Sequence, residues 1–254
     1  MMILAVIQAR MSSSRLPGKV LLPILGKPVI WHIYNRLKFS KKLNEICIST
    51  STDSLDDPIV QFAKENEIKY FRGSSKNLVS RHLGAANFFN ADVVVRITSD
   101  DPLVDPKVVD KLITIYENNP DSDFVSNSKE HTFPVGLEVE VMPKQTLEKL
   151  LSISNDPIFH EFFISNYIYE HPNEFKSIGY KLKKSNLLRW TLDYPEDYEF
   201  IKKIYGHLYS TKEVFHMKDI ISLLREKPDL KKINLMHYSE FSHLKYEKRK
   251  IKKN

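Results

Sequence analysis

Glycine and cysteine are both scarce in this chain of 254 residues, which has seven glycines and one cysteine. The single cysteine, Cys47, cannot form an internal disulfide, and it lies in an apolar, strand-like segment. We therefore expect Cys47 to be buried in a strand and the protein to work in a reducing cytoplasm. With few glycines and no low-complexity segment, the chain offers no linker, and we expect one domain.

Long hydrophobic runs are also missing. The chain begins MMILAVIQAR, a short apolar stretch that ends at Gln8 and Arg10. Such a stretch is too short to cross a membrane, and it lacks the charged start of a signal peptide. We therefore expect no membrane insertion.

The net charge of +6 is concentrated at the end of the chain. Residues 241–254 contain six lysines or arginines against Glu247, a net charge of +5, which leaves about +1 for the rest. A short basic segment is usually flexible, and a nearly neutral body does not indicate a nucleic-acid partner. We predict a single domain over residues 1–240 and a basic, flexible tail over 241–254.

Short apolar runs alternate with amphipathic segments in the first half of the chain. The predicted strands cover residues 3–8, 45–50, 68–71, 91–98 and 122–126. The predicted helices cover residues 29–37, 59–66, 77–89 and 108–116. This alternation is typical of an α/β fold with a mostly parallel sheet flanked by helices. The loops after the first and fourth strands should face one crevice, because carboxyl ends of parallel strands share a sheet edge.

The pattern changes after about residue 130. The alternating sequence GLEVEVM, residues 136–142, predicts a half-exposed strand. Two further helices and two strand-like runs are predicted, over residues 145–153, 158–171, 175–183 and 187–193. We expect about residues 130–188 to form a small lobe inserted in the domain.

The loop ARMSSSRLPGK, residues 9–19, concentrates cations and hydroxyls after the first strand. Arg10, Arg15 and Lys19 supply positive charge, and Gly18 permits a close backbone approach. That composition suits a triphosphate, and a solvated basic loop is the alternative. The loop is neither a Walker A nor a GxGxxG motif, because valine follows Lys19 and no earlier glycine is present.

The fourth predicted strand ends in RITSDDPLVDP, residues 96–106. Two adjacent carboxylates, Asp100 and Asp101, come just after this strand, and an aspartate there is placed to hold Mg²⁺, which prefers carboxylate and phosphate oxygens. A simple turn is the alternative. Asp105, just before Pro106, is expected to cap the next helix.

A similar arrangement occurs in RWTLDYPEDYEF, residues 189–200. Asp193 lies between an apolar run and a helix that begins at a proline, and it is a second candidate metal ligand. Glu196 and Asp197 fall in the first turn of that helix, where acidic residues stabilise the helix dipole.

Four segments, in order, resemble the signature blocks of the cytidylyltransferase family that activates acidic cell-surface sugars. They are IQARMSSSRLPGKVLLPILGKPVI, VVVRITSDDPLVDP, FPVGLEVEVM and RWTLDYPEDYEF, and they span residues 3 to about 200. The most similar branch is the spore-coat polysaccharide biosynthesis protein F type. Its relatives are the synthetases of CMP-activated sialic acid and CMP-activated 3-deoxy-manno-octulosonate.

The resemblance implies a Rossmann-like nucleotide-diphospho-sugar transferase fold and a homodimer formed through the inserted lobe. The implied reaction is Mg²⁺-dependent transfer of CMP from CTP to an acidic sugar, with release of pyrophosphate. The acceptor itself is not identified, because the chain departs from the family pattern in the segments that border the acceptor.

The resemblance also implies roles for individual residues. Nucleotide binding is assigned to Gln8, Ala9, Arg10, Arg15, Gly18, Lys19, Arg72 and Asp100. Catalysis is assigned to Arg15, Lys19 and Asp100, and Mg²⁺ binding to Asp100 and Asp193. Acceptor binding is assigned to Glu138, Glu140 and His160.

Other functions stay open at this point. The same fold could use GTP or UTP, could belong to a glycosyltransferase, or could be a degenerate nucleotide-binding partner subunit. Asp121 and Asp123 have the Asp-x-Asp spacing of glycosyltransferases, but they precede a predicted strand rather than end one. The joint presence of cations and carboxylates argues against a degenerate subunit.

Overall fold

A computed structural model describes residues 1–153, 164–185, 188–209 and 213–240. The strands are β1 (Ile3–Gln8), β2 (Pro23–Ile24), β3 (Lys27–Pro28), β4 (Glu45–Ser51), β5 (Tyr70–Gly73), β6 (Val93–Thr98), β7 (Phe124–Ser126), β8 (Glu140–Pro143) and β9 (Ser177–Gly179). The helices are α1 (Val29–Leu37), α2 (Asp57–Glu65), α3 (Leu78–Phe88), α4 (Pro106–Glu117), α5 (Lys144–Ile153), α6 (Ile164–Glu170), α7 (Pro195–Leu208) and α8 (Met217–Glu226).

Seven of these strands form one mostly parallel sheet, in the order β5-β4-β1-β6-β8-β7-β9. Strand β1 lies in the interior of the sheet and pairs in parallel with both β4 and β6. Strand β8 runs antiparallel to its neighbours β6 and β7. The predicted α/β fold is therefore confirmed, and the carboxyl ends of β1, β4, β5 and β6 meet at one edge.

Helices cover both faces of the sheet. Apolar residues of α1, α4, α7 and α8 pack on one face, and those of α3, α5 and α6 pack on the other. Strands buried on both faces are continuously apolar, which explains why the five residues from Ile3 to Ile7 are all buried. Cys47 is fully buried in β4, as predicted, and burial raises the pKa of its thiol. None of the helices described here is long and apolar enough to cross a membrane.

The structure corrects two strand predictions. Residues 136–142 do not form a half-exposed strand, because only Glu140–Pro143 pair and β8 is buried in the interior of the sheet. The run 187–193 makes one isolated bridge, between Arg189 and Val135, in its described part. Strands β8 and β9 belong to the main sheet, so part of the segment 130–188 is integral to the domain, and its role as a lobe stays a prediction.

A close backbone approach fixes the bend before β8. Gly136 has a φ of +102°, and a Cβ atom there would lie 2.5 Å from the carbonyl carbon of Trp190 and 2.5 Å from the nitrogen of Thr191. Only glycine accepts this φ easily, and only glycine leaves room for the backbone beside it. Gly136 therefore holds the segment before β8 against the segment that ends at Asp193.

We expect Gly136→Ala to lower the free energy of unfolding by about 3 kcal/mol or more, because the backbone must move to avoid the clash. Gly206→Ala is the matched control, since Gly206 lies inside α7 and a Cβ atom there meets nothing within 4 Å. It should raise stability by about 0.5–1 kcal/mol. Urea unfolding followed by circular dichroism measures both, and an unchanged midpoint for Gly136→Ala would contradict the close approach.

Candidate active site

Lys19 is a buried cation at the centre of the site. It follows Gly18, whose left-handed φ of +69° starts a 3-10 turn after the first loop. Its Nζ donates to the carbonyl oxygen of Leu192 at 2.6 Å, to Asp193 Oδ1 at 3.0 Å and to Asp100 Oδ2 at 3.2 Å. Burial lowers the pKa of Lys19, but the two carboxylates outweigh this effect and raise its pKa. Lys19 therefore stays charged and joins three distant segments.

Asp193 is surrounded by three cations. Its Oδ1 accepts from Arg15 Nη2 at 2.6 Å and from Lys19, and its Oδ2 accepts from Arg189 Nη2 at 3.3 Å. The side chain of Asp193 is 11% exposed, whereas that of Arg15 is 35% exposed. Arg15 is thus the member of this group that reaches solvent.

The ion pair of Arg189 and Asp197 contacts both the carboxylate and the backbone nitrogen of Asp193. Arg189 donates from Nε and Nη2 to the two carboxylate oxygens of Asp197, at 2.9 and 2.8 Å, and both side chains are buried. Asp197 also accepts from the backbone nitrogens of Asp193 and Tyr194, each at 3.0 Å. The predicted position of Asp197 in the first turn of α7 is confirmed. Its pairing with a buried arginine was not predicted.

Asp100 and Asp101 differ sharply in environment at the end of β6. Burial raises the pKa of Asp100, but Lys19 outweighs it and lowers the pKa, and the side chain is one-third exposed. Asp101 is buried and accepts from the hydroxyl of Thr98, and burial together with the Asp100 charge holds its pKa well above the usual range. Asp100 is therefore the carboxylate that faces the crevice.

Arg96 links two of the predicted site residues and was itself missed. Its Nε donates to Gln8 Oε1 at 3.0 Å, and its Nη1 donates to Glu140 Oε2 at 2.7 Å. These residues lie on β1, β6 and β8, and Arg96 is paired directly opposite Glu140. The available signal was a charged residue within the apolar run VVVRIT.

Glu138 lies just before β8, and its Oε2 accepts from the backbone nitrogen of Gly136 at 2.6 Å. Burial raises the pKa of Glu138 to about 7, and the charges of Asp100 and Glu140 contribute. Glu138 therefore belongs to the acidic side of the crevice, and its contact with an acceptor stays a prediction.

Ala9, Arg10 and Arg72 lie at the same sheet edge. The nitrogen of Ala9 donates to the Ser49 carbonyl at 3.0 Å, and Arg10 Nη1 donates to the Ser75 carbonyl at 3.1 Å.

The guanidinium of Arg72 is held by protein partners, namely the carbonyls of Ser51 and Asp53 and the carboxylate of Asp57. The structure thus gives Arg72 a role in fastening β5 to β4, and its nucleotide contact stays a prediction.

Arg81 is a second residue that the sequence did not single out. It is 1% exposed, and only its Nη1 has a partner, the Ser74 carbonyl at 2.8 Å. Its Nε and Nη2 find no acceptor among the described residues. Burial and the charges of Arg10 and Arg96 lower the pKa of Arg81 to about 10. Buried donors without acceptors are costly, so this place suits a ligand with acceptor atoms.

Most of the predicted site residues thus converge at one edge of the sheet, and one cannot be placed. Lys19, Asp100 and Asp193 meet directly. Arg96 joins Gln8 to Glu140. Glu138 lies close enough to Asp100 and Glu140 for their charges to raise its pKa. His160 lies outside the described residues.

Cations and carboxylates at the carboxyl edge of a mostly parallel sheet are what a nucleotidyltransferase of Rossmann-like fold requires. Residues 4–227 match the family model described as cytidylyltransferase, and the chain belongs to that family. The family resemblance is therefore confirmed, and the chain is an enzyme of the transferase class.

Individual relatives agree with this assignment. The structure of a cytidylyltransferase from Leptospira borgpetersenii matches with a TM-score of 0.86 and 33% identity, over 91% of this chain and 97% of that chain. The spore coat polysaccharide biosynthesis protein SpsF of Bacillus subtilis is 28% identical over 89% of this chain and 95% of its own length. The 3-deoxy-manno-octulosonate cytidylyltransferase of Chlamydia trachomatis serovar A is 31% identical over 65% of this chain and 66% of its own length.

The raised pKa of Glu138 predicts a pH dependence of stability. A carboxyl whose pKa is raised by folding binds its proton more tightly in the folded state, so it favours folding at low pH. This advantage is lost as pH rises from about 4.5 to about 7. Across that window, the wild type should lose about 1–3 kcal/mol of its free energy of unfolding relative to Glu138→Gln, which has no carboxyl at this position.

Urea unfolding at pH 5, 6, 7 and 8 measures this difference. Glu148→Gln, on the exposed side of α5, is the control and should stay parallel to the wild type. A Glu138→Gln curve that also stays parallel to the wild type would show that folding does not raise the pKa of Glu138.

Proposed function

We propose that this enzyme transfers CMP from CTP to an acidic sugar or a related acid, with release of pyrophosphate, for the synthesis of surface glycans. The observation that carries the proposal is the buried Lys19, whose ammonium lies between Asp100 and Asp193 with Arg15 beside them. The named activities of the relatives support the choice of CTP and of a sugar acid as acceptor.

The reaction needs positioning and neutralisation of charge more than a strong nucleophile. A hydroxyl oxygen of the acceptor forms a bond to the α-phosphorus of CTP and loses its proton to water, while the bond from that phosphorus to the pyrophosphate oxygen breaks. Negative charge grows on the departing pyrophosphate, and fixed cations stabilise it. The raised pKa of Lys19 keeps its ammonium protonated at neutral pH, and the partly exposed Arg15 can exchange its bond to Asp193 for a phosphate oxygen.

A divalent metal ion would reach the carboxylate of Asp100, which is one-third exposed, whereas Asp193 would first have to release Arg15. Cytidylyltransferases generally depend on a metal ion, and we propose that it is Mg²⁺, held by Asp100 with Asp193 as the second ligand. No cluster of three or more acidic, histidine or cysteine ligands occurs in the described part of the chain. Mg²⁺ bound together with phosphates needs only one or two carboxylates. When bound, it neutralises charge on the phosphate oxygens.

Arg81 offers a means of selecting cytosine. Its Nε and Nη2 are two parallel donors without protein acceptors. Cytosine presents two adjacent acceptors, O2 and N3, whereas N3 of uracil carries a hydrogen and is a donor. A buried donor pair therefore favours cytosine over uracil, because uracil would leave a donor facing a donor. We propose that Arg81 contacts the base.

The remaining parts of the proposal rest on the resemblance. Glu138, Glu140 and His160 are proposed to line the acceptor site, although Glu140 is already paired with Arg96. Gln8, Ala9, Gly18 and Arg72 are proposed nucleotide contacts. A homodimer and a cytoplasmic location complete the proposal.

Pyrophosphate release tests the reaction. With CTP and Mg²⁺, we expect the wild type to release pyrophosphate in the presence of 3-deoxy-manno-octulosonate or N-acetylneuraminate, and not with neutral hexoses. Asp100→Asn and Lys19→Ala should lower the rate by about 100- to 1,000-fold, because each removes a fixed charge from the reacting phosphates. Thermal melting of each variant separates loss of activity from loss of the fold.

Two matched variants control this experiment. Lys202→Ala removes an exposed lysine of α7, and Asp121→Asn removes an exposed aspartate, so both should keep the rate of the wild type. Wild-type protein that releases pyrophosphate from GTP or UTP instead of CTP would overturn the choice of nucleotide. Folded protein that binds no nucleotide would overturn the enzymatic function.

The choice of base is tested by calorimetric titration with CTP and UTP in the presence of Mg²⁺. Arg81→Lys keeps the charge but loses the paired donors, and it should reduce the preference for CTP over UTP by about tenfold or more. Arg225→Lys, at an exposed position of α8, is the control. An unchanged preference in Arg81→Lys would remove Arg81 from the base site.

A further inference from the structure

The last described segment of the chain returns to the site through Asn234. This residue is 4% exposed and follows a 3-10 turn at Pro228–Lys232. Its Nδ2 donates to the carbonyl oxygen of Arg189 at 3.1 Å and to Asp197 Oδ1 at 2.9 Å. Asn234 thus anchors the C-terminal segment on the ion pair that supports Asp193.

The same segment places an aromatic ring on Tyr194. The rings of His237 and Tyr194 are parallel within 6°, and their centroids lie 3.9 Å apart. His237 Nε2 lies 2.9 Å from Glu196 Oε2, which fixes the orientation of the imidazole ring. Tyr194 is the residue directly after Asp193, so the stack lies next to the carboxylate that gathers the three cations.

Two of those three cations lie against the stacked tyrosine. The guanidinium carbon of Arg15 lies 5.2 Å from the centroid of the Tyr194 ring, and that of Arg189 lies 5.6 Å from it. Arg189 is buried and held by Asp197, and Lys19 is held by the Leu192 carbonyl. Arg15 has fewer constraints, because it is one-third exposed and its guanidinium makes a single described hydrogen bond, to Asp193.

We propose that His237 and Tyr194 form an aromatic platform that positions Arg15 for the nucleotide, an inference that rests on the proposed function. A long arginine side chain on a surface loop populates many rotamers, and a flat aromatic face restricts it in the geometry of a cation–π contact. His237 stacks on Tyr194 and keeps that ring from turning away. His237 is therefore a positioning residue, contributed by the end of the chain, and it acts through Arg15.

Two substitutions separate the ring from the ion pair. His237→Phe keeps an aromatic ring against Tyr194 and loses the contact with Glu196, whereas His237→Gln keeps a donor for Glu196 and loses the ring. In calorimetric titrations with CTP and Mg²⁺, His237→Gln should weaken binding by about two- to fivefold, the range expected of one cation–π contact. His237→Phe should bind like the wild type.

A double-mutant cycle shows whether the effect passes through Arg15. In an Arg15→Gln background, His237→Gln should cause no further loss of CTP affinity, because the platform has no cation left to position. Asp229→Asn is the control within the same segment, since Asp229 and its partner Lys232 are both exposed, and it should leave CTP affinity unchanged. Thermal melting checks that each variant stays folded.

The outcomes are distinct. Wild-type protein that binds no CTP would overturn the proposed function and this inference with it. Wild-type protein that binds CTP, with His237→Gln unchanged or with His237→Phe as weak as His237→Gln, would overturn the platform alone. A loss in His237→Gln that persists in the Arg15→Gln background would show that His237 supports the fold rather than Arg15.

Discussion

The site depends on one carboxylate, that of Asp193, which neutralises cations from two distant parts of the chain. Arg15 and Lys19 come from the loop after β1, and Arg189 comes from the segment before α7. Three cations gathered around a largely buried point would repel one another without it, and Lys19 would be a buried charge with one partner fewer. The path of the first loop and the position of α7 are therefore set by the same interaction.

A second buried ion pair fixes the position of β8, the strand that runs antiparallel to its neighbours. Arg96 on β6 lies opposite Glu140 on β8, in the antiparallel half of the sheet. A shift of one residue would turn Glu140 to the other face and leave both charges buried without a partner. The pair thus specifies the register of β8, and through Gln8 it connects that register to the end of β1.

Sequence patterns predicted the parts of the molecule that depend on local order. Alternating apolar runs and helices predicted the parallel sheet, and the rule for strand ends predicted that Lys19 and Asp100 would lie near each other. The resemblance to the family added Asp193 to them. The sequence patterns did not predict the partners of the buried charges, because nothing near Arg189 in the chain indicates that it is buried against Asp197.

The wrong prediction for residues 136–142 has the same origin. The alternation of Glu138 and Glu140 is typical of a half-exposed strand, yet Glu140 is buried and paired with Arg96 on β6, and Glu138 accepts from the nearby nitrogen of Gly136. Only contacts between segments distinguish an inward glutamate from an outward one, and a single sequence does not contain them. The roles of Arg81 and Asn234 were hidden for the same reason.

The order of the site's segments along the chain affects how the enzyme is made. The first loop emerges early from the ribosome, but Asp193 emerges only after three quarters of the chain, and Asn234 and His237 come later still. Domains fold as units during synthesis, starting from the N-terminal side. An unfinished chain therefore carries the cationic loop without the carboxylate that organises it, and the loop can take up its final position only after most of the chain has been made.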